Sequence, residues 1–162
     1  MATTKKTTST RSRATESEDG KFTAEERAAM KERAAEIKAE KGTRGKGKAD
    51  KAAQEAQVCL DKIAELPDDD RAIAEGIHAI ATDEAVGLAA KTWYGMPAYA
   101  KDGKIVCFFQ PADKFKARYA TLGFNDPAAL DDGDFWATSF AVLDWTPAVE
   151  KKVRSLVQQS VR

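Results

Sequence analysis

Trp93-Tyr94-Gly95-Met96-Pro97-Ala98-Tyr99-Ala100-Lys101-Asp102-Gly103-Lys104 is the stretch on which the fold turns. Glycine reaches backbone conformations closed to other residues and proline holds its own φ, so residues 94–99 bend the chain. Asp102-Gly103 then matches a two-residue hairpin turn. Two bends this close together, among aromatic and β-branched side chains, call for short antiparallel strands.

Twelve of the thirteen aromatic residues lie from Trp93 onward, which extends the strand-rich region to the last part of the chain. Strand candidates are residues 91–94, 98–100, 105–110, 115–122 and 135–143. In the last of these, Trp136, Thr138, Phe140 and Val142 alternate with Phe135, Ala137, Ser139 and Ala141. The bulkier set is expected to face the helices. Phe108 and Trp136 are expected to share an interior with Val153.

Helical spacing flanks this region on both sides. Ala52, Ala56, Cys59, Leu60 and Ile63 recur on one face until Pro67 breaks the run, and Ile73, Ile77 and Ile80 form the stripe of a second helix. Asp68, Asp69 and Asp70 put negative charge at the positive end of that helix. At the C-terminus, Thr146 caps a helix with Pro147 in its first turn, and Val149, Val153, Leu156 and Val157 share a face. The fold class is therefore α+β, an antiparallel sheet of about five strands packed against helices, behind a charged N-terminal arm.

That arm divides in three. Residues 1–22 have too few apolar side chains to offset the entropy of ordering and read as disordered. Residues 23–41 open with the Thr23/Glu26 capping-box pair and run on in alanine, glutamate and lysine. Met30 and Ile37 are the large apolar residues there, so the helix is expected to be solvated and held by charge pairs, docking weakly or not at all. Residues 42–49 read as a basic flexible linker, and residues 50–162 as the packed α+β domain.

Composition narrows the functional classes. Lys plus Arg and Asp plus Glu balance at 26 each, yet basic residues lead by about five up to Lys51 and acidic ones by about five afterwards. The arm could thus make salt-dependent contact with nucleic acid, although interleaved glutamates and a lone Phe22 weaken that reading. The two cysteines, Cys59 and Cys107, stand outside any CxxC or Cys/His cluster, which suits a reducing, cytoplasmic compartment. No apolar run approaches the length of a membrane span, so no membrane association is expected. A single histidine, His78, excludes a multi-histidine metal site and reads as a partly exposed structural residue.

The Trp93-to-Tyr99 motif, the following Asp102-Gly103-Lys104 and the Phe108-Phe109 strand carry a family likeness. From about Leu66 to Val161 the chain resembles the YdhG-like family of bacterial proteins, a domain of unknown function. The resemblance implies a small α+β fold of helices on an antiparallel sheet. One branch of that family is similar to a frataxin-like intracellular iron chaperone, which implies iron as a ligand for delivery to iron–sulfur or haem assembly.

Two readings of the aromatic bend stay open. Trp93, Met96 and Tyr99 could fill the core, or Trp93, Tyr94, Met96, Pro97, Tyr99 and Lys104 could line a ligand pocket. For a metal, Asp131, Asp132 and Asp134, with Asp126 nearby, offer the oxygen ligands that iron or magnesium accept, without the ordered spacing of a calcium loop. The sequence carries no catalytic signature. Its functional expectation is a non-enzymatic small-ligand or iron-binding domain, with a nucleic-acid or protein-interaction module using the arm as the alternative.

Overall fold

The structure, a computed structural model, describes residues 22–43, 45 and 47–162. Residues 1–21, nearly all of the segment read as disordered, lie outside the described residues. Four helices and five strands follow one another as α1 (Ala24–Gly42), α2 (Lys48–Ala64), α3 (Asp68–Ala81), β1 (Ala89–Trp93), β2 (Met96–Lys101), β3 (Lys104–Gln110), β4 (Ala120–Phe124), β5 (Ser139–Val142) and α4 (Pro147–Ser160). The strands form one antiparallel sheet in the order β1-β2-β3-β4-β5. The architecture is α+β, and among the described residues no helix is long and apolar enough to cross a membrane.

Both early bends are tight hairpins. Tyr94 and Gly95 have φ of 53° and 70°, and Asp102 and Gly103 have 51° and 79°. Positive φ at both central residues is the signature of the turn whose twist matches that of the flanking strands. The 94–99 segment is thus one hairpin turn followed directly by β2, which starts at Met96.

One sheet face packs on the helices. Cys107 pairs with Phe124 and Phe109 with Leu122, and all four enter the core with Tyr99 and Ala90. Ile73, Ile77 and Ile80 of α3, Val153 and Val157 of α4, and Cys59 and Ile63 of α2 cover them. A register shift between β2 and β3 near Tyr99 lets both Val106 and Cys107 be buried although they are consecutive. Asp70 adds a polar tie, its carboxylate accepting hydrogen bonds from the Ala112 and Asp113 amides at 3.1 and 2.9 Å. So the third aspartate does more than complement the helix dipole.

Several expectations need correction. The stretch 115–122 is strand only from Ala120, because residues 112–119 follow Pro111 as a turn-rich loop with Lys116 at a φ of 50°. Of residues 135–143 only Ser139–Val142 pair as a strand; the segment before them follows Gly133, itself at positive φ, and Phe135 is 92% exposed. Trp136 is also exposed, so the bulky face expected there reduces to Phe140 and Val142. Phe108, opposite Gly123, points to the other face from Cys107 and Phe109 and meets Trp93 there, away from Val153. Helix α1 reaches Gly42 and α2 begins at Lys48, leaving residues 43–47 between them.

Candidate ligand-binding site

The capping box at Thr23 and Glu26 starts α1 as its sequence requires. What seats the helix is a row of acids. Glu32, Glu36 and Glu40, spaced by four, lie along one helical face, and each meets donors from the rest of the chain. Glu32 pairs with Lys62 of α2 at 3.2 Å and with Lys114. Glu40 pairs with Lys91 of β1 at 2.7 Å. Glu25, further back, reaches Lys116 at 3.1 Å.

Glu36 makes the most specific contact. Its two carboxylate oxygens accept hydrogen bonds from consecutive backbone amides of the first hairpin turn, Tyr94 at 3.1 Å and Gly95 at 2.8 Å. The positive φ values turn both N–H groups to the same side, making a small anion-binding concavity. Lys114 also donates to the Tyr94 carbonyl at 3.1 Å, and the Arg33 guanidinium lies 6.0 Å from the Tyr94 ring centre.

These pairings set the charge states. Burial pushes Glu32 up, but hydrogen bonds and charge from Lys114 and Lys62 outweigh it and hold the carboxyl below its ordinary value. The hydrogen bond from Lys91 holds Glu40 below its ordinary value, against a smaller effect of burial. Glu32 and Glu40 are therefore ionised at neutral pH.

Helices α1 and α2 do not close on each other over β1. Between them lies a groove of about 350 Å3 whose walls include Ala35, Ala39 and Val58, with Thr92 and Gly95 at its base. Lys62, Lys91, Glu40 and Glu55 stand along it, and Lys91 lies between Glu40 at 2.7 Å and Glu55 at 3.9 Å. Apolar walls with a few fixed charges suit a small molecule with an apolar body and a charged head.

The residues singled out from the sequence separate in space. Tyr94 and Met96 meet in a second, shallower hollow of about 240 Å3 beside α1, with Phe22, Ala29, Met30, Gln110 and Phe115. Trp93 is half-buried against Tyr94 and Phe108. Pro97 and Tyr99 are fully buried, and the Tyr99 hydroxyl lies 3.4 Å from His78 Nδ1 within the helix-facing core. Lys104 is exposed at the far hairpin. Residues three apart in a strand face opposite ways, so Met96 and Tyr99 part company; six residues of β2 put about 20 Å between Tyr94 and Lys104.

Asp126, Asp131, Asp132 and Asp134 are all exposed. Among the described residues no three His, Cys, Asp or Glu side chains stand together as a metal set. The carboxylates of α1 already accept from lysines and amides, so their chemistry fits a salt-bridged surface better than an iron site. Burial pushes the Cys59 and Cys107 thiols up to about 12, which keeps them protonated.

Sequence reasoning missed Glu32, Glu36, Glu40, Lys62, Lys91 and Lys114. The four-residue spacing of the acids was the available signal; the lysines come from three separate elements and carry none. Comparison with protein-family models, with curated proteins and with solved structures found no match for this chain.

Proposed function

We propose that this chain is a non-enzymatic small-ligand-binding domain whose site is the groove between α1 and α2 above the first hairpin. One observation carries the reading: a groove of about 350 Å3 with alanine and valine walls holds lysines and glutamates at fixed positions. The matching ligand is a small organic molecule with an apolar body and a carboxylate or ammonium head. Iron, which the likeness to the YdhG-like family suggests, draws less support, because no ligand set of three stands ready among the described residues.

Thermal unfolding of the full chain against a panel of short fatty and aromatic acids, amines and ferrous iron tests this. A bound ligand at a hundred times its Kd stabilises by about 2.7 kcal/mol, a readily measured rise in Tm. Ala39→Trp, on an exposed position of the groove wall, should abolish that rise. No stabilisation by any probe, or a rise untouched by Ala39→Trp, would rule the groove out. A rise with iron alone, lost on Asp131→Ala and Asp132→Ala, would favour the metal reading instead.

A further inference from the structure

The seat of α1 is made by other parts of the chain. Its donors are Lys62 of α2, Lys91 of β1, the Tyr94 and Gly95 amides of the hairpin, and Lys114 of the loop after β3. None belongs to α1, so the cradle persists when the helix leaves. The helix brings little apolar burial to it: Ala29 is its one buried residue and stands outside the main core, while Met30 and Ile37 are 37% and 39% exposed. Between the helices, the sequence of residues 43–47 holds two glycines and no large apolar side chain. Ion pairs and hydrogen bonds, more than apolar burial, seat this helix on a receptor for carboxylates spaced by four.

We propose that this cradle is a docking surface for an acidic helix of a partner protein, and that α1 is the built-in competitor that covers it until the partner arrives. This goes beyond the small-ligand reading and stands without it. Tethering gives α1 an effective concentration on the order of millimolar. A second copy offering the identical helix cannot beat that, so the partner must add contacts that α1 lacks. The hollow beside Ala29, between Tyr94, Met96, Gln110 and Phe115, is where it adds them. The partner helix thus carries acids at i, i+4 and i+8 and a larger apolar residue at i−3.

A fluorescent peptide of residues 23–43, added to the full chain, tests the proposal. Glu32→Gln, Glu36→Gln and Glu40→Gln together in the protein disable its own helix and should tighten peptide binding at least tenfold over wild type. The same three changes in the peptide should abolish binding, and Ala29→Leu in the peptide should tighten it several-fold. Equal binding of acidic and glutamine peptides, or none to the triple variant with its fold verified by circular dichroism, would overturn the proposal. Should that variant not fold, hydrogen exchange on the wild-type chain decides: excess Ala29→Leu peptide, which carries the added apolar contact, must speed exchange of the α1 amides, and unchanged exchange refutes displacement. A concentration-dependent dimer of wild type in light scattering, with α1 exchanged between copies, would make the occupant a second copy and defeat the assignment to another protein.

Discussion

The ring of Phe108 occupies the space that a side chain at residue 123 would need. The two residues are direct partners across β3 and β4, and a Cβ built on Gly123 would overlap the ring. Trp93 bounds the ring on its other side, centre to centre at 5.2 Å. Gly123→Ala therefore forces the phenyl group off its position, at a cost of about 1–3 kcal/mol. In a Phe108→Ala background the same change should cost almost nothing, because the obstructing ring is gone. Urea unfolding of the four proteins checks this, and an equal cost in both backgrounds would disprove the steric origin.

The hairpin turn makes a sharper demand on Gly95 than on Tyr94. Both have positive φ, but only at Gly95 would an added Cβ overlap Glu32 and Lys114. A left-handed backbone costs a non-glycine residue about 1–2 kcal/mol before any overlap. Gly95→Ala should lower stability by at least that amount and unseat α1. Tyr94→Asn, which installs the preferred residue pair for this turn, should keep the hairpin and lower Tm by less. Thermal unfolding with amide spectra of the turn separates the two outcomes.

How far the sequence predicted these features depends on the range of the interaction involved. Asp102-Gly103, the capping threonines 23 and 146, and the isoleucine stripe of α3 are local patterns, and each stands where local chemistry puts it. Residues 135–138 show strand alternation yet are no strand, because alternation cannot say whether a neighbouring strand offers its backbone there. The site was least legible. Glu36 meets Tyr94 across 58 positions and Glu32 meets Lys114 across 82, and no spacing rule reaches so far. A helix rich in alanine and charge reads as solvated, and by burial it nearly is; its acids nonetheless find specific partners.

Acid should release α1. The seated carboxyls of Glu32 and Glu40 ionise below their free value of 4.5, the first through Lys114 and Lys62 against the pull of burial, the second chiefly through Lys91. A lowered carboxyl pKa stabilises the seated state fully above the free value, and the benefit disappears as pH falls through the seated value. Between pH 6 and pH 3 the amide resonances of Tyr94 and Gly95 should move toward those of an uncovered turn, and molar salt should move them the same way. Lys91→Gln should shift the acid transition upward. Resonances that stay fixed to pH 3 would mean that packing, not charge, seats the helix.

The two thiols should be silent in the native protein. Cys59 and Cys107 are fully buried and burial holds both near 12, so neither thiolate nor access is available at pH 8. A disulfide-exchange reagent should label none within the time that denatured protein labels both. Fast native labelling of Cys59 alone would show α2 leaving the core.

His78 gives the chain one isolated pH response near neutrality. It is the single histidine, and no carboxylate with a normal or lowered pKa changes charge much between pH 7.5 and 5.5. Partial burial lowers its pKa below the ordinary 6.5, with Nδ1 3.4 Å from the buried Tyr99 hydroxyl. As pH drops below 6.5 the unfolded chain takes up a proton that the folded chain resists, so stability falls until the lowered folded value is passed. The urea midpoint should therefore be lower at pH 5.5 than at pH 7.5, with an unchanged slope. His78→Gln cannot take up that proton and should show the same midpoint at both values. A wild-type midpoint that rises on acidification would mean that the folded chain favours the imidazolium, contrary to its place beside the core.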